Sequence, residues 1–92
     1  MLRFRYNPKI NISYDRQGYI YFTSKMYKNL PQKRKQEIWS LCKECGGAYA
    51  AALLKFVTTD LSQTAVCMSH NLSSSTLRRS VRRYYESFPA VL

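Results

Sequence analysis

Ala65-Val-Cys-Met-Ser-His-Asn-Leu-Ser-Ser-Ser-Thr-Leu-Arg-Arg-Ser-Val-Arg-Arg-Tyr84 decides the fold of this chain. The segment reads as a short helix, a tight turn at Asn71 and a second helix carrying four arginines. A bihelical unit of this kind makes four demands on its sequence. A small residue must sit in the first helix where the second crosses it, and Cys67 is that residue. The turn must tolerate left-handed dihedrals, and Asn71 is second only to glycine there. An apolar residue must follow the turn, here Leu72, with Ser73 placed to cap the second helix. Apolar positions must then recur along that helix. Leu77, Val81, Tyr84 and Phe88 do so at steps of four, three and four.

Working upstream, Asp60 or Ser62 can cap the first helix of the unit. Ala48 to Val57 is alanine-rich, which allows helices to approach closely. Before it, Ile38, Leu41, Cys42 and Cys45 recur at helical spacing, while Lys33, Arg34, Lys35 and Glu37 lie largely off that stripe. Pro31 suits a helix start and Gly46-Gly47 a helix end. Helices are expected over residues 31–45, 48–57, 62–70 and 74–87. A short helical turn capped by Ser24 precedes them, running to Leu30.

The first third reads differently. Leu2, Phe4 and Tyr6 alternate with Arg3 and Arg5 up to Asn7-Pro8, and Ile10, Ile12 and Tyr14 repeat the alternation. Asp15-Arg-Gln-Gly18 has the form of a four-residue turn, and Tyr19-Ile-Tyr-Phe-Thr23 is rich in β-formers. A β-hairpin over residues 9–23 follows, with residues 2–6 as the third strand of a meander. The expected class is α+β: an N-terminal β-hairpin or three-stranded meander followed by a four-helix helix-turn-helix bundle. Residues 1–92 form one domain, with 1–23 β-rich, 24–58 as helical support and 61–88 as the bihelical unit. Two strands are marginal alone, so the sheet must pack on the helices or pair with a second copy. The second option gives a homodimer.

The chain has 92 residues, enough for one modest core. Its 46% hydrophobic and 14% aromatic content excludes a disordered chain. No apolar run reaches the roughly 18 residues of a membrane span. Met1-Leu-Arg-Phe-Arg also lacks the layout of a signal peptide. A soluble, cytoplasmic protein with no membrane partner is the expectation. Fifteen Lys and Arg against five Asp and Glu give a net charge of +10. That excess favours a polyanion, because neutralised phosphates release counterions. Three cysteines, an odd number, fit reduced thiols better than a disulfide framework.

Val66-Cys67 through Leu72-Ser-Ser-Ser-Thr-Leu77 resembles the bacterial helix-turn-helix pattern in which a Val-Ser-x-x-Thr-Val/Leu segment opens the recognition helix. A longer frame is similar to small proteins of phages and mobile elements in Gram-positive bacteria. It consists of the Tyr21-Phe-Thr-Ser24 start, the Cys45-Gly-Gly47 helix end and the Arg82-Arg-Tyr-Tyr85 finish. The resemblance implies sequence-specific binding of double-stranded DNA by a transcription regulator or an excision accessory factor. It assigns Ser74, Ser75, Arg78 and Arg79 to base edges, and Ser73, Thr76, Arg82 and Arg83 to phosphates. The helical wheel agrees in part: with Leu77 inward, a 100° step turns Ser75, Arg79, Arg82 and Arg83 outward. A solvated helix face is the plainer account of the same arginines.

Three other readings compete. Cys42-x-x-Cys45 with Cys67-x-x-His70 has the ligand types of a zinc site, although all three cysteines also fit apolar positions. The core reading is preferred, and no cofactor is expected. Tyr14, Tyr19, Tyr21 and Phe22 interleaved with Arg3, Arg5 and Arg16 could stack on single-stranded bases, or simply pack on a small sheet. Finally, a phage-encoded inhibitor or adaptor, such as an anti-defence protein, would use the same basic face on a host protein or RNA-protein complex. Catalysis lacks support: the single His has no acidic neighbour in sequence, and the acids are scattered.

Overall fold

Ser13 opens a helix where a hairpin was expected. Its Oγ accepts the Arg16 N–H at 3.2 Å, and Asp15 lies in the first turn, where the helix dipole favours an acid. The computed structural model describes residues 4–89, and in it this helix, α1, spans Tyr14–Lys25. No strand occurs among the described residues. The N-terminal β-hairpin, the three-stranded meander, the β-rich 1–23 unit and the α+β class are all overturned. The sheet-edge route to a homodimer goes with them. Phe4, Arg5 and Tyr6 of the expected third strand are irregular, and Leu2 and Arg3 lie outside the described residues.

The physical reason lies in which face of α1 turns inward. Gln17, Ile20 and Ser24 are its buried positions, spaced by three and four as a helix requires. Two of the three are polar, so no hydrophobic stripe marks the helix. The residues that mimic a strand point the other way: Tyr14 is 61% exposed and Phe22 46%. Gly18 is inside the helix instead of ending a turn, with the Phe4 ring seated over it.

Gln17 does more than fill space. Its Oε1 accepts the Asn7 N–H at 2.9 Å. Its Nε2 donates to the carbonyls of Asn7 at 2.9 Å, Ile10 at 3.4 Å and Ile12 at 3.2 Å. One buried amide thereby docks the irregular N-terminal segment on α1, and Ile10 becomes a core residue.

Four helices follow: α2 (Gln32–Gly46), α3 (Ala50–Thr58), α4 (Gln63–His70) and α5 (Ser74–Ser87). A 3-10 turn at Tyr27–Asn29 precedes α2 and another at Gly47–Tyr49 precedes α3. Ser24, expected as a cap, is instead buried inside α1, and Ser62 caps α4 by accepting the Ala65 N–H at 3.1 Å. Gly47 takes a positive φ of 54°, which allows the chain to leave α2 abruptly.

Ile20, Ile38, Leu41, Leu53 and Tyr84 anchor the larger core cluster, which joins α1, α2, α3 and α5. A smaller cluster of Ala52, Val66, Cys67 and Leu77 seats α4 and α5 on α3. Phe56 and Val81 pack against both clusters. Tyr84 carries a hydroxyl into the core, where it pairs with the Ser24 hydroxyl at 2.7 Å and ties α1 to α5. Two side chains brace the ends of elements. Lys25 donates to the carbonyls of Phe56, at 3.1 Å, and Thr59 beyond α3. Arg16 donates to the carbonyls of Phe88, at 3.0 Å, and Pro89 while lying over the Tyr19 and Phe88 rings. No helix among the described residues is long and apolar enough to cross a membrane.

Candidate nucleic-acid interface

The turn between α4 and α5 is the three residues Asn71, Leu72 and Ser73. Asn71 has φ 55° and ψ 52°, the left-handed geometry that asparagine tolerates better than most residues. The N–H groups of Asn71 and Leu72 both reach the Cys67 carbonyl, the latter at 3.1 Å, which closes the end of α4. Ser73 then starts α5 by accepting the Thr76 N–H at 3.2 Å. Leu72 packs against the small cluster formed by Cys67 and Leu77. The angle between the two helices is thus fixed by a cap on each side and a shared apolar contact.

Leu77, Ser80 and Tyr84 are the buried positions of α5. Ser75, Arg78, Arg79, Arg82 and Arg83 are all exposed. Full burial of a side chain like Leu77 contributes about 1.5–3 kcal/mol, so the inward face holds α5 without help from its arginines. The outward face carries four arginines and one acid, Glu86, near the end of the helix. The first turn of α5 has no acid to oppose an incoming phosphate.

The eight residues assigned to DNA fall into different situations. Ser75, Arg78, Arg79 and Arg83 are exposed, and no salt bridge to them is found among the described residues. Ser74 is half-buried. Ser73 and Thr76 are engaged with each other: besides the cap, their hydroxyls lie 2.8 Å apart. They hold the helix start. Arg82 is paired through Nε with Glu86 Oε2 at 3.0 Å. That hydrogen bond is the main reason the Glu86 carboxyl is held below its ordinary value, with a smaller contribution from the Asn11 N–H.

The zinc set is not brought together. Cys42 and Cys45 belong to the larger core cluster and Cys67 to the smaller one, while His70 is half-buried at the end of α4. Among the described residues no three His, Cys, Asp or Glu side chains converge as a metal-holding group. Burial pushes the Cys42 thiol up to about 12, which suppresses the thiolate that a metal or a redox reaction would need. Of the proposed stacking residues, Arg16 is committed to the C-terminal carbonyls, and Arg3 lies outside the described residues.

An open groove of about 640 Å³ lies beside α5, lined by Arg5 and Lys9 of the N-terminal segment and by Arg78, Arg79 and Arg82 of α5. Nothing in the local sequence pairs residues so far apart. No family model, no curated protein and no solved structure matches the chain.

Proposed function

We propose that this protein binds double-stranded DNA in a sequence-dependent manner through α4, the Asn71 turn and α5. The observation that carries the reading is the outer face of α5, where Ser75, Arg79 and Arg83 stand exposed on a helix whose orientation is fixed by a capped start and a buried seam. Arginine can grip guanine through two parallel hydrogen bonds in the major groove, and small serines allow the helix to approach the groove floor. Arg79, near the helix start, reads a base, and Ser75 beside it sets the distance of approach. Arg78 lies on the flank towards the groove and holds the adjoining backbone. Arg82 and Arg83 sit farther along and hold phosphates, with Glu86 fixing the position of Arg82. The net charge of +10 supplies the non-specific attraction that precedes any reading of sequence. In this proposal the protein serves a bacterial phage or mobile element, in the host cytoplasm, as a transcription regulator or excision accessory factor.

The test is a salt-dependent shift with random duplex, followed by selection of bound sequences from a random library. One family of related sites should be enriched. Arg79→Ala should then cost about 1–3 kcal/mol on the preferred site and relax the preference at one base pair. If no sequence is enriched, or Arg79→Ala changes neither affinity nor preference, the arginine face is not a reading head. The inhibitor or adaptor reading, directed at a host protein or RNA-protein complex, then takes its place.

A further inference from the structure

The groove beside α5 has a rim and a floor of opposite character. Its exposed lining includes the cations Arg5, Lys9, Arg78, Arg79 and Arg82, which make the rim, with no acid among the groove-lining residues. Its less exposed lining is mostly apolar, with Ile10, Tyr21, Phe56, Val81 and Tyr85, and makes the floor. We propose that this groove binds single-stranded nucleic acid, with a base laid on the apolar floor and the flanking phosphates held by the cationic rim. A paired duplex cannot use such a floor, because the faces of its bases are stacked inside and only their edges and the backbone are exposed. An unpaired base can, and base-to-aromatic contact contributes about 1–3 kcal/mol per base. The volume of about 640 Å³ lies within the range of about 300–1,000 Å³ typical of sites for small ligands.

Both walls are held in place before any ligand arrives. The Gln17 amide clamps the segment between Arg5 and Ile12 through Asn7, Ile10 and Ile12. The Ser24–Tyr84 hydroxyl pair and the core positions of α5 fix the opposite wall. The Asn11 N–H also reaches Glu86 at 3.4 Å, bridging the N-terminal segment to α5. A preorganised site of this kind loses little entropy on binding. The groove shares Arg78, Arg79 and Arg82 with the duplex reading, but the two can be tested apart. Arg5 and Lys9 line the groove and have no part in the duplex reading, whereas Ser75 and Arg83 are outside it on α5.

The experiment uses the full chain and a fluorescently labelled 12-nucleotide oligothymidine, read by anisotropy against salt. Saturable binding is expected, with a log–log salt slope of about −0.7 for each phosphate held. Arg5→Ala/Lys9→Ala should weaken oligothymidine about tenfold while changing duplex affinity about twofold or less. Arg83→Ala should do the reverse. Phe56→Leu, which removes the aromatic face but keeps an apolar side chain, should weaken oligothymidine while leaving duplex affinity unchanged. The variant's melting temperature reads separately the stability lost from its contacts with the two core clusters. An abasic deoxyribose-phosphate 12-mer should bind several-fold more weakly than oligothymidine. Equal binding of the abasic strand would overturn the proposal, because the floor would then hold no base. Tighter binding of polyglutamate of matching charge would overturn it in favour of an acidic peptide. Duplex binding without oligothymidine binding would sink the groove while leaving the α5 reading intact. Oligothymidine binding without sequence enrichment in duplex would do the opposite.

Discussion

Replacing Gln17 with Leu tests the fold at its most unexpected point. The side chain is 1% exposed and its amide makes four hydrogen bonds to backbone groups of Asn7, Ile10 and Ile12. Leucine keeps most of the volume and removes all four. Two responses are open to the protein. If the N-terminal segment stays docked, the Asn7 and Ile10 carbonyls keep the Ile10 and Ile12 N–H groups. The Asn7 N–H and the Ile12 carbonyl lose their partner, at about 1–3 kcal/mol each where water cannot reach them. If the segment peels away, water satisfies those groups, but Ile10 at 5% exposure gives up burial worth about 1.5–3 kcal/mol. The cheaper response sets the loss, which comes to about 1.5–3 kcal/mol. For a domain near this size that lowers the melting temperature by about 6–24 °C. Thermal and urea denaturation read the loss, and faster amide exchange at Asn7 and Ile12 identifies the segment that opens. Gly18→Ala supplies the opposite sign. A Cβ there meets Phe4 at an ordinary contact of 3.6 Å, so alanine in mid-helix should add about 0.5–1 kcal/mol. In a hairpin with Asp15–Gly18 as its turn, Gln17 would be an exposed turn residue and its loss nearly neutral, while alanine at position 18 would disturb the turn. A Gln17→Leu protein that melts within a degree or two of wild type, together with a destabilised Gly18→Ala, would refute α1.

Two further outcomes are expected. At Asn71, with φ 55°, Gly should be neutral or slightly stabilising, whereas Ala should cost about 1–2 kcal/mol by urea denaturation; equal stability of the two variants would count against the left-handed turn. The fold should also weaken in alkali, because burial raises the Cys42 thiol from 9.0 to about 12 and holds the Tyr84 and Tyr85 hydroxyls above their ordinary value of 10.0. The unfolded chain releases these protons at ordinary values and the folded chain keeps them, so their contribution is complete below pH 9 and is lost as pH rises. The thiol part of the loss runs to about pH 12, at about 1.4 kcal/mol per pH unit for each group in its window. Lys25 acts the other way: burial lowers its value, so its effect on stability improves as pH climbs towards 10.5. Melting curves between pH 8 and 11 that do not move, or a Cys42→Val protein with the same pH dependence as wild type, would contradict this assignment.

The helices from residue 32 onward were legible because their inward positions are mostly apolar. Ile38, Leu41, Cys42 and Cys45 mark α2, and Leu77 and Tyr84 mark α5, each at the spacing a helix imposes. Asn71 and Ser73 announced the turn between α4 and α5 by their own chemistry. In α1 that signal is inverted: polar Gln17 and Ser24 face the core while Tyr14, Tyr19 and Phe22 face out. A hydrophobicity pattern cannot identify a helix whose inward face is built from hydrogen bonds. Other signals were present. Ser13 followed by Asp15 is a helix start, and a tyrosine at a buried seam position requires a partner for its hydroxyl, which Ser24 supplies. The exposed arginines of α5 were legible for the same reason as its core, since fixing one face fixes the other. The groove was not legible. Arg5 and Lys9 line it together with Arg78, Arg79 and Arg82, residues far apart in sequence that meet because the Gln17 amide, with the Asn11–Glu86 bond, holds an irregular segment against the helices. The residue that hides α1 from a hydrophobicity pattern therefore also holds one wall of the second candidate binding site, and Gln17→Leu should loosen Arg5 and Lys9 while leaving Ser75 and Arg83 of α5 where they are.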